Sequence, residues 1–220
     1  MALTGEELEK ARLKAQEDYR ALRSRKERLD DDSIDVILRG ARSHYAWKSD
    51  AVPVELLHSL YDITAAGATS MNTCPSRYVF VTSKESKERL AKSLKDKNVE
   101  KMMSAPVTAI IAYDLDFWKD LPFLFPHEDR RPFCEGEDQY IEDTAFRNSS
   151  LQGAYFMIAA RALGLDVGAM SGFSNAIVDE EFFSDRNWKS NFLCNLGYAD
   201  ETALFQKLPR RAFDDVCSII

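Results

Sequence analysis

The chain has 220 residues, of which 45% are hydrophobic and 30% charged, and its formal net charge is -7. This composition suits one compact domain with a full-sized core and argues against disorder. The basic residues are scattered rather than gathered into a run, so nucleic acid is not an expected partner, and no apolar run of about 18 residues is present that could cross a membrane. An acidic soluble enzyme fits these numbers best.

The four cysteines and three histidines are too dispersed to indicate a metal centre or a disulfide framework. The first ten residues, MALTGEELEK, lack the basic, apolar and small-residue order of a signal peptide. The cysteines therefore indicate reduced thiols in a cytoplasmic protein. They are Cys74, Cys134, Cys194 and Cys217.

Residues from about Gly5 to Asp30 show a thin apolar stripe in an otherwise charged segment, which predicts a solvent-facing helix. A coiled-coil seam is a weak alternative, because Asp18 and Arg25 occupy seam positions. The stripe consists of Leu8, Ala11, Ala15, Leu22 and Leu29.

A short helix from Ile34 to Arg39 is predicted next, capped by residues 31–33 and ended by Gly40. An arginine, a hydroxyl and an imidazole follow this helix end. An arginine fork with a neighbouring hydroxyl suits a phosphate group, although such a pair is also common on protein surfaces. The three residues are Arg42, Ser43 and His44.

A helix is predicted from Pro53 to about Ala66, with Leu56, Leu57, Leu60 and Ile63 facing inward. Small and hydroxyl residues then lead into a predicted strand at 77–82. Such a segment suits a ligand rich in hydrogen-bonding groups, or it is only a polar connection. Its candidate ligand-binding residues are Ala68, Thr69, Ser70 and Asn72.

Two helical segments, 85–94 and 98–103, precede a nearly continuous apolar strand at 106–113 that should be central to a sheet. From 114 to 143 the pattern becomes an irregular segment rich in aromatic residues. This segment is interpreted as a lid over a flat ligand, as a partner surface, or as a patch that seals the core.

The helix that follows has Leu151, Ala154, Tyr155, Ile158 and Ala162 on one stripe, which is predicted to face the core. Glycines at positions 164, 168 and 172 predict a loop whose backbone approaches a flat group closely, at residues Ala169, Met170, Ser171 and Gly172. A helix C-cap followed by a tight turn is the alternative.

A helix at 176–183 and a third strand at 191–198 complete the predicted elements, and Arg210 and Arg211 lie near the end of the chain. Few strands among many helices, without βαβ alternation, predict an α+β fold. The dinucleotide-binding, phosphate-loop, nucleophile-elbow and His-x-x-x-His signatures are missing. Cations for a phosphate, polar groups for hydroxyls, close backbone and aromatic rings together favour flavin mononucleotide (FMN), which would carry the reaction.

From about Asp32 to its C-terminus the chain resembles the nitroreductase-like flavoenzymes, and most closely their malonic semialdehyde reductase branch. The matching segments follow the family order, although the usual second cation of the Arg-Ser segment is Tyr45 here, and the 68–76 loop lacks the family's Gln and Trp. The matches are Arg42 to His44, residues 68–76, Asn98 with Lys101, Gly164 to Phe173, and Arg210 with Arg211.

The resemblance implies a central, mostly antiparallel sheet surrounded by helices in an intertwined homodimer, with FMN at the interface and the 68–72 loop supplied by the partner. Residues 1–31 would be a charged extension and 32–220 the FMN-binding domain. Asn98 and Lys101 would lie at the pyrimidine edge of the flavin, and the amides of Ser171 and Gly172 would face N5 and O4.

The resemblance also implies ping-pong catalysis, in which NADH or NADPH reduces FMN and a small aldehyde such as malonic semialdehyde then accepts the hydride. No catalytic side chain is expected, and Lys101 has a supporting role because its charge would favour the reduced flavin. A quinone or nitroaromatic reductase is the alternative enzyme, and a non-catalytic FMN-binding protein is the alternative of another class.

Overall fold

The computed structural model describes residues 5–25 and 27–220, so residues 1–4 and 26 of the predicted extension lie outside the described part. Four strands form one sheet in the order β1-β2-β4-β3, and every neighbouring pair is antiparallel. This confirms the predicted α+β class and antiparallel sheet. The strands are β1 (Ser76–Val81), β2 (Val107–Asp114), β3 (Asp166–Met170) and β4 (Trp188–Gly197).

Helices of very different lengths surround this sheet. None of the described helices is both long enough and apolar enough to span a lipid bilayer. The helices are α1 (Gly5–Arg23), α2 (Asp31–Ile34), α3 (Val54–Ala65), α4 (Lys84–Ala91), α5 (Asp96–Ser104), α6 (Leu121–Leu124), α7 (Asp138–Ala162), α8 (Asn175–Phe183) and α9 (Phe213–Val216).

Strand β2 is the buried centre of the fold, as its apolar sequence predicted, because all of its residues are buried. Its side chains alternate between two cores, as successive residues of a strand must. Ala109 and Ile111 pack with Leu60 of α3 and Phe156 of α7. Ile110 and Ala112 belong to the second core, which includes residues of α4, α5 and α8. The sheet is therefore covered by helices on both faces.

Helix α1 confirms the predicted solvent-facing helix, since none of its residues is buried. The helix ends at Arg23, before the predicted end at Asp30. The predicted cap and start of the next helix were wrong. Asp30 is the cap, because its side chain accepts a 2.6 Å hydrogen bond from the amide of Ser33, and α2 begins at Asp31, three residues before the predicted start at Ile34. The chain then continues through a π-helical turn, Asp35–Arg39.

The predicted buried face of the long helix α7 was wrong. Leu151 is 44% exposed, whereas Phe156, Ala159 and Ala160 are buried. The buried face also contains polar residues that bind the backbone of neighbouring segments: Gln152 accepts from the amide of Ser76 at 3.0 Å. Because these polar residues lie on the buried face, hydrophobic periodicity selected the opposite one.

The same error affects α3, where Leu57 and Leu60 are buried as predicted but Ile63 is 47% exposed. Thr64 is buried in its place, and its hydroxyl donates a 2.7 Å hydrogen bond to the carbonyl of Leu60. A threonine that satisfies its own polar group in this way can replace an apolar residue on a buried helix face.

The predicted glycine loop at 164–173 is mainly a strand. Gly164 has a φ of +80° and ends the helical segment, but β3 follows at once and pairs along β4 from Asp166 to Met170. The glycines of this segment lowered its strand propensity, so the sequence did not predict β3. The neighbouring strand β4 begins at Trp188, three residues before the predicted start at 191.

The aromatic segment after β2 both seals a core and exposes rings. Phe117 and Leu121 are buried against Ile141 of α7, while Phe123 is 83% and Phe133 is 54% exposed. Helix α7 begins at Asp138, within the segment that the sequence had assigned to an irregular region. Exposed rings of this kind are what the lid and partner-surface interpretations require.

Candidate functional site

A cavity of about 570 Å³ lies between the Arg42 segment, the end of α7 and the C-terminal segment. Four of its lining residues are basic and none is acidic, although the chain as a whole has a net charge of -7. Such a one-signed lining favours an anionic ligand. The basic residues are Arg42, Arg161, Lys207 and Arg210.

The Arg42 segment is held in place by the edge of the sheet. Ser43 forms a parallel bridge with Val167 of β3, and the amide of His44 donates a 3.0 Å hydrogen bond to the Val167 carbonyl. Gly168 permits this contact, because a Cβ atom there would lie 2.5 Å from the carbonyl oxygen of His44. Strand β3 therefore positions Arg42 and Ser43 at the cavity wall.

His44 faces away from the cavity and is buried. Its Nε2 lies 3.2 Å from Oδ1 of Asp166, while its Nδ1 has no hydrogen-bond partner among the described residues. Burial lowers the pKa of His44, and nearby Arg42 and Arg161 lower it further against the opposing effect of Asp166. The predicted cofactor residue His44 thus lies beneath the cavity wall, where its contacts with Asp166 and Val167 fix the segment that contains Arg42. Its lowered pKa makes it a neutral imidazole near pH 7.

Tyr45 connects the cavity to a second group of predicted residues. Its ring lines the cavity, and the ammonium of Lys101 lies 4.7 Å from the ring centroid. Asn98, one turn before Lys101 on α5, donates a 3.1 Å hydrogen bond from its amide to the carbonyl of Gly172. The structure therefore brings together the Asn98 and Lys101 pair with the segment that follows β3.

Gly172 is packed closely against this pair, because a Cβ atom there would lie 2.5 Å from Nδ2 of Asn98. Ser171 and Ala169 are exposed, whereas Met170 packs against the second core. The backbone of residues 169–172 thus reaches the same region as Lys101, although none of these residues lines the cavity.

The 68–72 segment lies in a different place, near the middle of α7. The amide of Ser70 donates to Oδ1 of Asn148 at 2.8 Å, and the Asn72 side chain donates to the carbonyl of Leu124 at 2.8 Å. The carbonyl of Ala68 accepts from the Tyr155 hydroxyl at 3.1 Å, and Thr69 accepts from the amide of Cys74 at 3.2 Å. None of these four predicted residues lines the basic cavity.

Backbone strain is concentrated at this segment. Met71, Asn72 and Cys74 have φ angles of 49°, 53° and 40°, and they are the non-glycine residues with positive φ in the described part of the chain. Conformations of this kind cost about 1–3 kcal/mol each and cluster at binding sites. The strain at these positions agrees with the ligand-binding interpretation of the segment, which stays a prediction.

The two adjacent arginines of the C-terminal segment are both exposed, but only one of them lines the cavity. That residue is Arg210, and Arg211 does not contribute to the cavity lining. The segment is anchored where the Arg42 guanidinium donates to the carbonyl of Phe205 and where the Phe205 ring meets the edge of Tyr45.

Sequence reasoning missed Arg161 and the contribution of Tyr45. Arg161 lies in the last turn of α7 and carries no motif, since a basic residue at a helix C-terminus is expected for helix stability alone. Tyr45 was noted only because it replaces a cation. The contact between Tyr45 and Lys101 joins segments 56 residues apart, and no local pattern could indicate it.

Comparison with known proteins identifies the family to which this fold belongs. The model of the nitroreductase family matches residues 38–198, most of the chain. The chain therefore belongs to the nitroreductase family, and the predicted class of oxidoreductase enzymes is confirmed.

Similar proteins agree with this assignment over nearly their whole length. A provisionally named NADH dehydrogenase/NAD(P)H nitroreductase from Stenotrophomonas maltophilia K279a is 52% identical over 87% of this chain and 97% of its own. A protein of the same provisional name from Burkholderia lata is 52% identical over 87% of this chain and 98% of its own.

Solved structures show the same fold at low sequence identity. The provisionally named nitroreductase ydfN of Bacillus subtilis superposes with a TM-score of 0.76 at 19% identity, over 84% of this chain and 97% of that one. A provisionally named nitroreductase from Exiguobacterium sibiricum, solved in complex with FMN, gives a TM-score of 0.74 at 20% identity, over 89% of this chain and 99% of that one.

Proposed function

We propose that this protein is an FMN-dependent NAD(P)H oxidoreductase that reduces a small aldehyde such as malonic semialdehyde. The observation that carries the proposal is the cavity lined by four basic residues and no acidic one, in a chain that belongs to the nitroreductase family. The names of the relatives, with NAD(P)H as electron donor, and the FMN complex of a structural neighbour support the same cofactors.

The residues present fit a flavin phosphate. Arg42 and Ser43 on one wall and Arg210 on the facing C-terminal segment offer charged and neutral donors to one anion. Charge-assisted hydrogen bonds from arginine forks match the geometry of phosphate oxygens. These residues would bind and orient the cofactor, while His44 buried behind them keeps the segment in place.

The region of Lys101 fits the ring end of the same cofactor. Asn98, Lys101 and the backbone at Gly172 lie together, and Tyr45 connects them to the cavity. FMN, when bound, supplies the hydride-transfer chemistry of the reaction. Lys101 would hold positive charge near the pyrimidine edge, and the amides of Ser171 and Gly172 would donate hydrogen bonds to the ring. No side-chain acid or base is required of the protein.

The complete site is proposed to form in a homodimer, with residues 68–72 supplied by the partner subunit. Two observations support this. Residues 68–72 do not line the basic cavity of their own chain, and the outer face of α7 next to them exposes apolar side chains, with Leu151 44% and Phe146 50% exposed. Apolar surface of this kind marks interfaces between subunits.

We also propose a division of the chain into two parts and a cytoplasmic location. Residues 32–220 would form the FMN-binding domain, and residues 1–31 a charged extension. All four cysteines are free thiols in the described structure, which supports a reducing, cytoplasmic environment.

The second candidate is a quinone or nitroaromatic reductase. It is favoured by the names of the relatives and by the exposed rings of Phe123 and Phe133, which suit a flat acceptor. The third candidate is a protein that binds FMN without turnover, and no contact among the described residues favours it.

Anaerobic stopped-flow measurements separate the three candidates. The FMN-loaded protein is mixed with NADH or NADPH, and the reduced protein is then mixed with malonic semialdehyde, benzoquinone or a nitroaromatic. The proposal predicts rapid bleaching of the flavin and the highest kcat/KM for the semialdehyde. A quinone or nitroaromatic preferred by tenfold or more would establish the second candidate, and absence of bleaching with both donors would establish the third.

A further inference from the structure

Arg161 and Arg42 are set apart from the other partly buried arginines. Four of the six partly buried arginines in the described part of the chain have a carboxylate partner. No ion pair is formed by Arg42 or Arg161 within that part. The paired arginines are Arg77, Arg89, Arg130 and Arg131.

Both unpaired arginines line the same 570 Å³ cavity. They also line a neighbouring cavity of about 180 Å³, beside Asp166. The two guanidinium groups therefore belong to one region, approached from the Arg42 segment on one side and from the last turn of α7 on the other.

Each guanidinium keeps most of its hydrogen-bonding capacity. Arg161 donates one bond from Nη1 to the carbonyl of Ile37 at 3.1 Å, and Arg42 donates one to the carbonyl of Phe205. An arginine has five N–H groups. The bond to a backbone carbonyl fixes each side chain without neutralising its charge.

A partly buried cation without a carboxylate is unfavourable for the folded chain on its own. Burial accordingly lowers the pKa of Arg161, with only a partial opposing effect of Cys194 and Asp166. An anionic ligand in the cavity would remove this cost. An exposed basic residue already stabilises a helix C-terminus by about 0.3–1 kcal/mol, so the stability of α7 does not by itself require that Arg161 be partly buried.

We propose that Arg161 is a phosphate-binding residue of this protein, and that it holds the cofactor's terminal phosphate from the side opposite Arg42. The proposal rests on the proposed FMN-dependent function. It adds a cation from α7 to the motif residues, so that the phosphate is bound by this long helix as well as by the two non-helical segments that contain Arg42 and Arg210.

The test compares FMN with riboflavin, which has the same ring and ribityl chain but no phosphate. Apoprotein is titrated with each compound, and the quenching of flavin fluorescence gives the dissociation constant. Arg161→Gln is expected to weaken FMN binding about 10- to 100-fold and to change riboflavin binding by less than about twofold. Arg161→Lys keeps the charge but loses the fork, so its loss of FMN affinity should be intermediate.

Arg20→Gln is the matched control. Arg20 also donates a hydrogen bond from its guanidinium to a backbone carbonyl, that of Gln16, but it lies on α1, which contributes nothing to the cavity lining. Its affinities for FMN and riboflavin should equal those of the wild type.

Four results are decisive. Equal weakening of FMN and riboflavin, or unchanged FMN binding, would overturn the role of Arg161 while the proposed function stands. A wild-type protein that binds neither compound would overturn the proposed function itself. Should Arg161→Gln fail to fold, Arg161→Lys decides the question, because an unchanged ratio of FMN to riboflavin affinity in that variant would reject the phosphate contact.

Discussion

Lys101 supplies a positive charge next to Tyr45, the position of the Arg-Ser segment that has no cation in this chain. The resemblance to the nitroreductase family assigns a cation to the position of Tyr45, where this chain has an aromatic side chain. The structure places the Lys101 ammonium 4.7 Å from the Tyr45 ring centroid. A cation–π contact at this distance contributes about 0.5–2 kcal/mol, enough to hold a flexible lysine near the cavity.

Replacement of Lys101 by Ala should slow reduction of the flavin by NAD(P)H more than it weakens FMN binding. The charge of Lys101 is expected to stabilise the electron-rich reduced ring, whereas the phosphate is bound elsewhere. Stopped-flow bleaching should slow about 10-fold or more, while the dissociation constant of FMN changes less.

Tyr45→Phe is the matched control for this prediction, since it keeps the ring face under Lys101 and should bleach at nearly the wild-type rate. Tyr45→Leu removes the ring and should slow bleaching in the direction of Lys101→Ala. A wild-type bleaching rate in Lys101→Ala would reject the supporting role of the lysine.

The sequence could predict those site residues that belong to a local motif. It could not predict those that only tertiary packing brings to the cavity. Arg42, Ser43 and Arg210 stood out in the sequence because cations and hydroxyls cluster after a helix end or near the C-terminus, and all three line one cavity. Arg161 had no such signal, because only the fold shows that it lacks a carboxylate partner. His44 was predicted as a cofactor residue because it follows Arg42 and Ser43 in the segment that resembles the family motif, but in the structure it is buried beside Asp166.

Strand β3 is the element on which the site depends. It holds the Arg42 segment through Val167 and leads into Gly172 beside Asn98. Its sequence, DVGAM, contains only one β-branched residue, so strand propensity was low and the sequence indicated a loop. Pairing with β4 overrides that propensity, and the glycine that weakens the strand signal is what allows the backbone of His44 to approach.

Gly168→Ala should destabilise the fold by about 1–3 kcal/mol, the usual cost of an added methyl group in a packed interior. The methyl group would lie 2.5 Å from the His44 carbonyl oxygen and 3.0 Å from the Trp47 ring, and a backbone oxygen cannot move aside cheaply. Urea unfolding followed by circular dichroism measures the change.

Gly5→Ala is the control for Gly168→Ala, because no heavy atom lies within 4 Å of a Cβ atom at that position. FMN affinity should also fall in Gly168→Ala, since Arg42 moves with the displaced segment. Wild-type stability together with wild-type FMN affinity would show that β3 does not position the Arg42 segment as described.

The molecule as a whole follows from patterns that the sequence displays strongly. The apolar run of β2 and the amphipathic helices were sufficient to predict an α+β fold with a buried central strand. The orientation of α7 was not predictable by hydrophobicity, since its buried face uses Asn148, Ser149 and Gln152 to bind backbone groups. The outward apolar stripe that misled the prediction has a natural explanation in the proposed dimer, where it would be covered by the partner subunit.

The basic cavity and the segment after β3 are proposed to bind FMN together. The visible absorption spectrum of the purified protein, followed by titration of the apoprotein with added FMN, is the simplest test of this binding. We expect a yellow protein that releases FMN on denaturation and takes it up again, one molecule for each chain of a dimer. A colourless protein whose apo form does not bind added FMN would contradict it.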